Sequence, residues 1–341
     1  MGEYARSLAI AQGAREKWPG VQIQFILSRD ARYTEATPFP TTLLASSPTF
    51  HSDAVIGVMQ NWRPDMVIFD NAGRTAQLRA ARRLGSRIVF ISARRRQRRK
   101  AFRLRWMRLI DEHWIAYPKF VAGELGFLER LKLKFLHRPV VRYLDVILSP
   151  ASAATRNSFA PRIGCSLDNY VLIVPGGGTG HPGARDAVEQ FLQAARALAD
   201  AGINTVFVGT VGSARAGGGG LSPASRLRML GSLPQPELAA LMRGARLIVA
   251  NGGSTLLQSI ACGKPCVAVP IAGDQPERIR RCVTAGVAVA APLESARIGK
   301  AATDLMQDRP QLDALAGRAL ALGLADGVDV ALHGIATMMD W

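Results

Sequence analysis

Cysteine is scarce in this chain of 341 residues, acidic side chains are outnumbered, and long apolar runs are absent. The four cysteines, Cys165, Cys262, Cys266 and Cys282, form neither a dense disulfide framework nor paired CxxC motifs. A disulfide-stapled secreted domain is therefore set aside, and the cysteines read as reduced, packed thiols. The histidines are too scattered for a zinc ligand set, so no metal site is expected. No stretch reaches the roughly 18 apolar residues of a spanning helix, and the first residues lack the charged-then-apolar pattern of a secretion signal. A cytoplasmic protein is expected.

What is present is positive charge. The chain holds 43 Lys and Arg against 26 Asp and Glu, a formal +17. Residues 1–150 carry 26 basic and 12 acidic side chains, and residues 151–341 carry 17 and 14. With 48% hydrophobic and 20% charged residues the composition is that of a globular protein, and the length suits about two domains.

Strand and helix patterns alternate throughout, which predicts an α/β protein with parallel sheets covered on both faces. In the first half a helix over 3–17 is followed by strands in VQIQFILS and TTLLA, a helix over 51–62, the strand MVIFD, a helix over 73–84 and the strand SRIVFIS. Further strands are expected in HWIAY and YLDVILS. Residues 151–169 lack periodicity and read as a linker. The alternation restarts at YVLIVPGGGTG and runs through NTVFVGT, RLRMLGS, RLIVANGGS, PCVAVPI and VAVAA, each followed by helical pattern except NTVFVGT, which a glycine tract at Gly217 to Gly220 follows. The expected division is therefore one α/β domain over 1–150 and a second α/β domain with C-terminal helices over 170–341.

In LIVANGGSTLLQSI a buried strand runs directly into Gly252-Gly253-Ser254-Thr255 and then a helix. Glycines let an anion approach the backbone, and the free N–H groups at a helix start, aided by the helix dipole, can hold diphosphate oxygens. Such turns also serve tight packing alone, and Ser254 or Thr255 could simply cap the helix. The loop with Gly177, Gly178 and Thr179 in VPGGGTG is a second strand-to-loop exit of the same kind. Two such loops at the C-terminal ends of parallel strands fall where open α/β sheets bind ligands.

Together the motifs carry a resemblance. Leu233-Pro234-Gln235, Gly252-Gly253-Ser254, Gly263-Lys264-Pro265, Val269-Pro270 and Asp274-Gln275-Pro276 occur in the order and approximate spacing of the GT-B glycosyltransferases. That group includes UDP-glucuronosyltransferases, macrolide glycosyltransferases and the lipid II N-acetylglucosaminyltransferase. The likeness is strong over about 230–292 and looser over 170–230. It implies two Rossmann-like domains whose parallel sheets face a central cleft, and metal-independent transfer from a UDP-sugar, used as co-substrate with no cofactor. It further implies that backbone near Leu233 holds uracil, that Gly252, Gly253, Ser254 and Thr255 hold the diphosphate, and that Asp274 and Gln275 bind donor-sugar hydroxyls. Asp274 before Pro276 also suits a plain helix start. Two positions depart from the pattern. Gln258 stands where these transferases usually carry a ribose-gripping Glu, and Asn251 where many carry His.

The opening MGEYARSLAIAQGAREKWPG resembles the family's first glycine loop and helix, with Glu3 at the place of the usual catalytic His. On this alignment the first strand of the N-terminal domain is missing, and an upstream start is expected. Inverting transfer needs a general base at the acceptor hydroxyl. Glu3 is the first candidate and Asp70, ending MVIFD, the second. Their ordinary readings are an acidic first-turn residue and a helix cap.

Residues 83–142 hold 17 basic and 4 acidic side chains. RRRQRRKAFRLRWMRLID spaces Phe102, Trp106, Leu109 and Ile110 as one apolar stripe among arginines, a pattern suited to an anionic membrane surface over residues 94–142. FLERLKLKFLHRP is ambiguous between helix and strand. The alternative is that the stripe packs inward and the arginines are solvated. Nucleic acid is disfavoured, because no recognised motif or array of stacking aromatics accompanies the charge. The expected partners are thus a nucleotide-sugar donor, a small-molecule or lipid-linked acceptor and a membrane surface met peripherally from the cytoplasmic side. A UDP-sugar hydrolase or epimerase of the same fold, or a non-catalytic nucleotide-binding module, is the alternative.

Overall fold

The fold is taken from a computed structural model that describes residues 2–30, 37–148, 164–176, 184–209 and 225–341. Two compact units emerge: Met1–Ile147 with Ala325–Trp341, and Leu148–Leu324. The expected second domain over 170–341 is thereby corrected at its end. The last helix packs on the first unit, so the chain's final residues belong to it. Of the expected linker, 151–163 lies outside the described residues.

Unit 2 is one parallel sheet of six strands. These are β7 (Val171–Val174), β8 (Thr205–Val208), β9 (Leu227–Leu230), β10 (Leu247–Asn251), β11 (Cys266–Val269) and β12 (Val289–Ala290), in the order β12-β11-β10-β7-β8-β9. The central strands are continuous apolar runs because both faces are covered. Val171, Ile173, Val249 and Val267 pack on Phe191, Leu192 and Leu198 of α8 (Ala184–Asp200) and on Ile298 and Leu305 of α12 (Ser295–Gln307). Strand order reverses between β7 and β10, the switch point at which open α/β sheets bind ligands.

Unit 1 has two parallel sheets. One pairs β1 (Phe25–Ser28) with β2 (Thr41–Leu44), and the other runs β3 (Met66–Asp70), β4 (Arg87–Ser92), β5 (Glu112–Ile115) and β6 (Val140–Tyr143). No strand pairs with the second edge of β1 or of β3 among the described residues. The expected strand YLDVILS is corrected: β6 ends at Tyr143, because Asp145 takes φ 49° and turns the backbone out of the ladder. One face of the larger sheet carries α1 (Gly2–Lys17) and α14 (Gly327–Met339), which meet closely. A Cβ on Gly13 would lie 2.7 Å from Val328 Cγ1. The other face carries α2 (Ser52–Trp62) and α3 (Thr75–Arg83), with Trp106 and Ile110 packed against Leu78 and Phe90 and the Phe102 ring edge-on to His113 at 5.2 Å. Buried Glu112 is satisfied by both nitrogens of a 2.8 Å fork from Arg142 and by Trp114 Nε1 at 2.6 Å.

The stripe expected to face a membrane is corrected here. RRRQRRKAFRLRWMRLID forms α4 (Arg95–Ala101), a break, and α5 (Leu104–Met107), and its Phe102, Trp106 and Ile110 are buried in the core. The break turns Phe102, Trp106 and Ile110 inward and leaves most of the segment's arginines outside, Arg98 and Leu104 being the exceptions on either side. FLERLKLKFL resolves as helix α7 (Phe127–Leu136).

Candidate functional site

In unit 2 the C-terminal ends of β7 and β10 are tied by one side chain. Asn251, closing β10, donates from Nδ2 to the Pro175 carbonyl after β7 at 2.6 Å, and its Oδ1 accepts from Gly253 N at 2.7 Å. Asparagine can hold both ends of this bridge because its amide is donor and acceptor at once. The turn it shapes delivers the chain into α10 (Ser254–Ala261), whose Gly253 N-cap has no side-chain cap. The N–H groups of the first turn therefore point out at the switch point without a competing side-chain acceptor. Ser254 is exposed beside them, Thr255 is buried behind, and Gln258 follows one turn later, half-buried.

Gly252 is required by packing: a Cβ there would fall 2.6 Å from Ile279 Cδ1 and 2.9 Å from Gln275 Cβ. Those contacts belong to α11 (Gln275–Thr284), so the glycine turn and the Asp274-Gln275 pair are seated together. Gln275 is buried and its Oε1 accepts from Ile271 N at 2.8 Å, while Asp274 is two-thirds exposed. Arg278, which the sequence reading missed, binds the two features together. It is buried, donates from Nη1 to the Gly252 carbonyl at 2.5 Å and from Nη2 to Asp274 Oδ2 at 3.0 Å. Its spacing four residues after Asp274 is the signal that could have found it. Leu233 is half-buried in the loop after β9, and no described contact joins it to the glycine turn. Gly177, Gly178 and Thr179 lie outside the described residues.

In unit 1 the first turn of α1 sits over the C-terminal end of β3. Arg6 forks onto Asp70, Nε to Oδ2 at 3.0 Å and Nη2 to Oδ1 at 2.5 Å, and Ser7 Oγ donates to Oδ2 at 3.0 Å. Burial pushes the Asp70 carboxyl above the usual carboxylate range, while Arg6 and Ser7 pull it down. Glu3 is about half exposed and accepts from Asn71 Nδ2 at 2.6 Å. Asn71, at φ 53°, in turn accepts from Ala93 N at 2.7 Å, so the ends of β3 and β4 are fixed together. The structure thus brings Glu3 and Asp70 to one sheet edge but in unlike states: both oxygens of Asp70 are engaged, and Glu3 stands open to solvent on one side. Arg6 and Ser7 were not singled out from sequence, since their partner lies more than 60 residues away.

No group of His, Cys, Asp and Glu suited to a metal ion occurs among the described residues. Among them, no helix is long and apolar enough to cross a membrane.

Residues 171–308 match the family model described as "Glycosyl transferases group 1". No match occurs among curated protein sequences. Among solved structures, UGT2 of Phytolacca americana, complexed with UDP-2fluoro-glucose and pterostilbene, superposes with TM-score 0.67 at 12% identity, covering 98% of this chain and 96% of that one. MurG of Acinetobacter baumannii gives 0.63 at 17% identity over 98% and 96%. A UDP-N-acetylglucosamine 2-epimerase gives 0.59 at 13% identity over 98% and 92%. Residues 171–308 are thus similar to the group 1 glycosyl transferases, and the chain has the GT-B fold.

Proposed function

We propose that the protein is a glycosyltransferase that moves a sugar from a UDP-sugar to an acceptor hydroxyl with inversion, without a metal ion. The observation that carries this reading is the uncapped start of α10 at the β7/β10 switch point, held in place by Asn251 and seated against Asp274 and Gln275. Diphosphate oxygens are received there by N–H groups and the helix dipole, which supply the positive field a metal would otherwise provide. The likeness to the Phytolacca structure, which holds UDP-2fluoro-glucose, supports a uridine donor. Asp274 and Gln275 take sugar hydroxyls, Gln258 the ribose and backbone at Leu233 the base, with Gly177, Gly178 and Thr179 also contacting the nucleotide.

Glu3 is the general base in this reading, because it is the carboxylate of its edge with an oxygen open to an acceptor. Asp70 serves it indirectly, by clamping the start of α1 through Arg6 and Ser7. The acceptor is lipid-linked or otherwise presented at an anionic membrane, which residues 94–142 meet from the cytoplasmic side. A second reading, a UDP-sugar epimerase or hydrolase, is favoured by the structural likeness to a UDP-N-acetylglucosamine 2-epimerase.

The test is release of UDP from UDP-sugars with and without a hydroxyl acceptor, with the sugar product identified. Acceptor-dependent release, lowered about a hundredfold in Glu3→Gln, supports transfer with Glu3 as base. Acceptor-independent release or a 2-epimer product overturns transfer in favour of the second reading.

A further inference from the structure

We propose that the outward face of α7 is the surface by which this chain docks on an anionic lipid bilayer. The proposal deepens the membrane-facing part of the reading above and rests on it, moving the contact from the α4–α5 stripe to a different helix.

An amphipathic surface helix normally turns its apolar side toward the core. In α7 the arrangement is reversed. Phe127 is 72% exposed, Leu128 66%, Leu131 38% and Phe135 75%, and no residue of the helix is buried. These four lie on one side, at spacings of three and four residues. The side facing the protein is fastened by polar bonds. Arg98 forks onto Glu129 at 3.1 and 2.7 Å and also donates to the Ala122 and Gly123 carbonyls, while Lys132 Nζ reaches the Phe102 carbonyl at 3.1 Å. With Glu129 and Lys132 so held, the helix cannot roll to hide its apolar face.

Charge selects the occupant. Arg130 and Lys134 are exposed on the same helix, and the bond from Lys132 to Phe102 brings in exposed Arg103, half-exposed Leu104 and exposed Arg105. None of these cations forms an ion pair among the described residues. The four acids of residues 83–142 are all engaged: Asp111 with Arg82 and Arg138, Glu112 with Arg142, Glu124 with Lys119, and Glu129 with Arg98. Nothing local neutralises the face. A second copy of this chain would bring like charge against like charge, and a nucleic acid has no use for two leucines at the centre of the patch. An acidic bilayer meets both demands, with phosphate headgroups for the cations and the acyl boundary for Phe127, Leu128, Leu131 and Phe135.

The test is flotation of the full chain with vesicles of phosphatidylglycerol and phosphatidylcholine, beside pure phosphatidylcholine, for the parent and a Phe127→Ser/Leu131→Ser/Phe135→Ser variant. These side chains are exposed, so an unchanged melting temperature confirms that the variant folds. The expected result is partition of the parent to the acidic vesicles alone and a loss of about tenfold or more in the variant. A Phe135→Trp protein should also be quenched by lipids brominated on the acyl chain. A parent that does not float overturns both the docking face and the membrane reading, leaving donor binding to be judged by UDP thermal shift. A parent that floats as well after the triple substitution, or an unquenched Trp, overturns this face only. A salt-sensitive RNA shift abolished by the triple substitution, without flotation, reassigns the face to nucleic acid.

Discussion

Unit 2 carries its six strands in one unbroken parallel sheet, whereas unit 1 divides its strands into a pair and a set of four. The candidate sites differ in the same way. In unit 2 the candidate site is built mainly from backbone: a glycine turn and a helix start, shaped by one bridging Asn251. In unit 1 side chains converge from distant parts of the sequence onto Asp70 and Asn71. The charge contrast is milder than the halves of the sequence suggest, because the returning segment 325–341 brings three aspartates to unit 1. Unit 1 then holds 26 basic and 15 acidic side chains, and unit 2 holds 17 and 11. What separates them is clustering: unit 1 concentrates its excess on one stretch whose acids are already paired.

The largest expected effect breaks unit 2 alone. Gly252→Val forces a side chain into Ile279 and Gln275, displacing the turn from α11. Affinity for UDP by calorimetry should fall at least about a hundredfold, about 2.7 kcal/mol, while unit 1 keeps its melting behaviour. The matching lesion in unit 1 is Arg6→Ala, which leaves the buried Asp70 carboxylate without its cation. Chemical denaturation should show a loss of about 3 kcal/mol confined to unit 1, with UDP binding unchanged.

Acid separates the units further. Burial, with Arg98 nearby, depresses the His113 imidazole of unit 1 to about 3. Its unfolded value is higher, so the unfolded chain takes up the proton first as pH falls. Stability is intact above about pH 6.5 and is lost below it at about 1.4 kcal/mol per pH unit until the folded value is reached. Acid denaturation followed by Trp106 and Trp114 fluorescence should show this slope, and His113→Gln should flatten it.

A smaller effect sharpens the donor side. Arg278→Lys keeps the charge but cannot hold the Gly252 carbonyl and Asp274 together as a fork. It should lower kcat/KM for the UDP-sugar about tenfold while UDP alone binds nearly as well. The smallest effect concerns the sheets. Amides of β1 and β3, each paired on one side among the described residues, should exchange with deuterium at least about tenfold faster than those of β10, paired on both.

The two units were unequally legible in the sequence. The strand RLIVAN and the turn at Gly252 and Gly253 could be read because a buried parallel strand running into glycine is a local pattern, and MVIFD because it is a short apolar run rich in β-branched residues. So could Asp274-Gln275, which sits at a helix start. Arg278 could have been found by its helical spacing from Asp274, but nothing local says that its other bond goes to the Gly252 carbonyl. Arg6 and Ser7 could not be found, since their meaning depends on how α1 is laid across β3. The basic stretch misled for a physical reason. Phe102, Trp106 and Ile110 fit a membrane-facing helix by spacing, yet the break between α4 and α5 lets them fill the core. The ambiguous FLERLKLKFL instead holds Phe127, Leu128, Leu131 and Phe135 out, with Glu129 and Lys132 bonded inward. Burial there was decided by which polar groups had partners.

The central claim is that unit 2 is a donor site for a UDP-sugar, and thermal shift against a panel of nucleotides and sugar nucleotides tests it most directly. A ligand at a hundred times its dissociation constant adds about 2.7 kcal/mol to the unit it binds. The account predicts a rise of several degrees for UDP and UDP-sugars that is lost in Gly252→Val and kept in Arg6→Ala. Stabilisation by a different nucleotide alone, or a UDP shift that survives Gly252→Val, would contradict it.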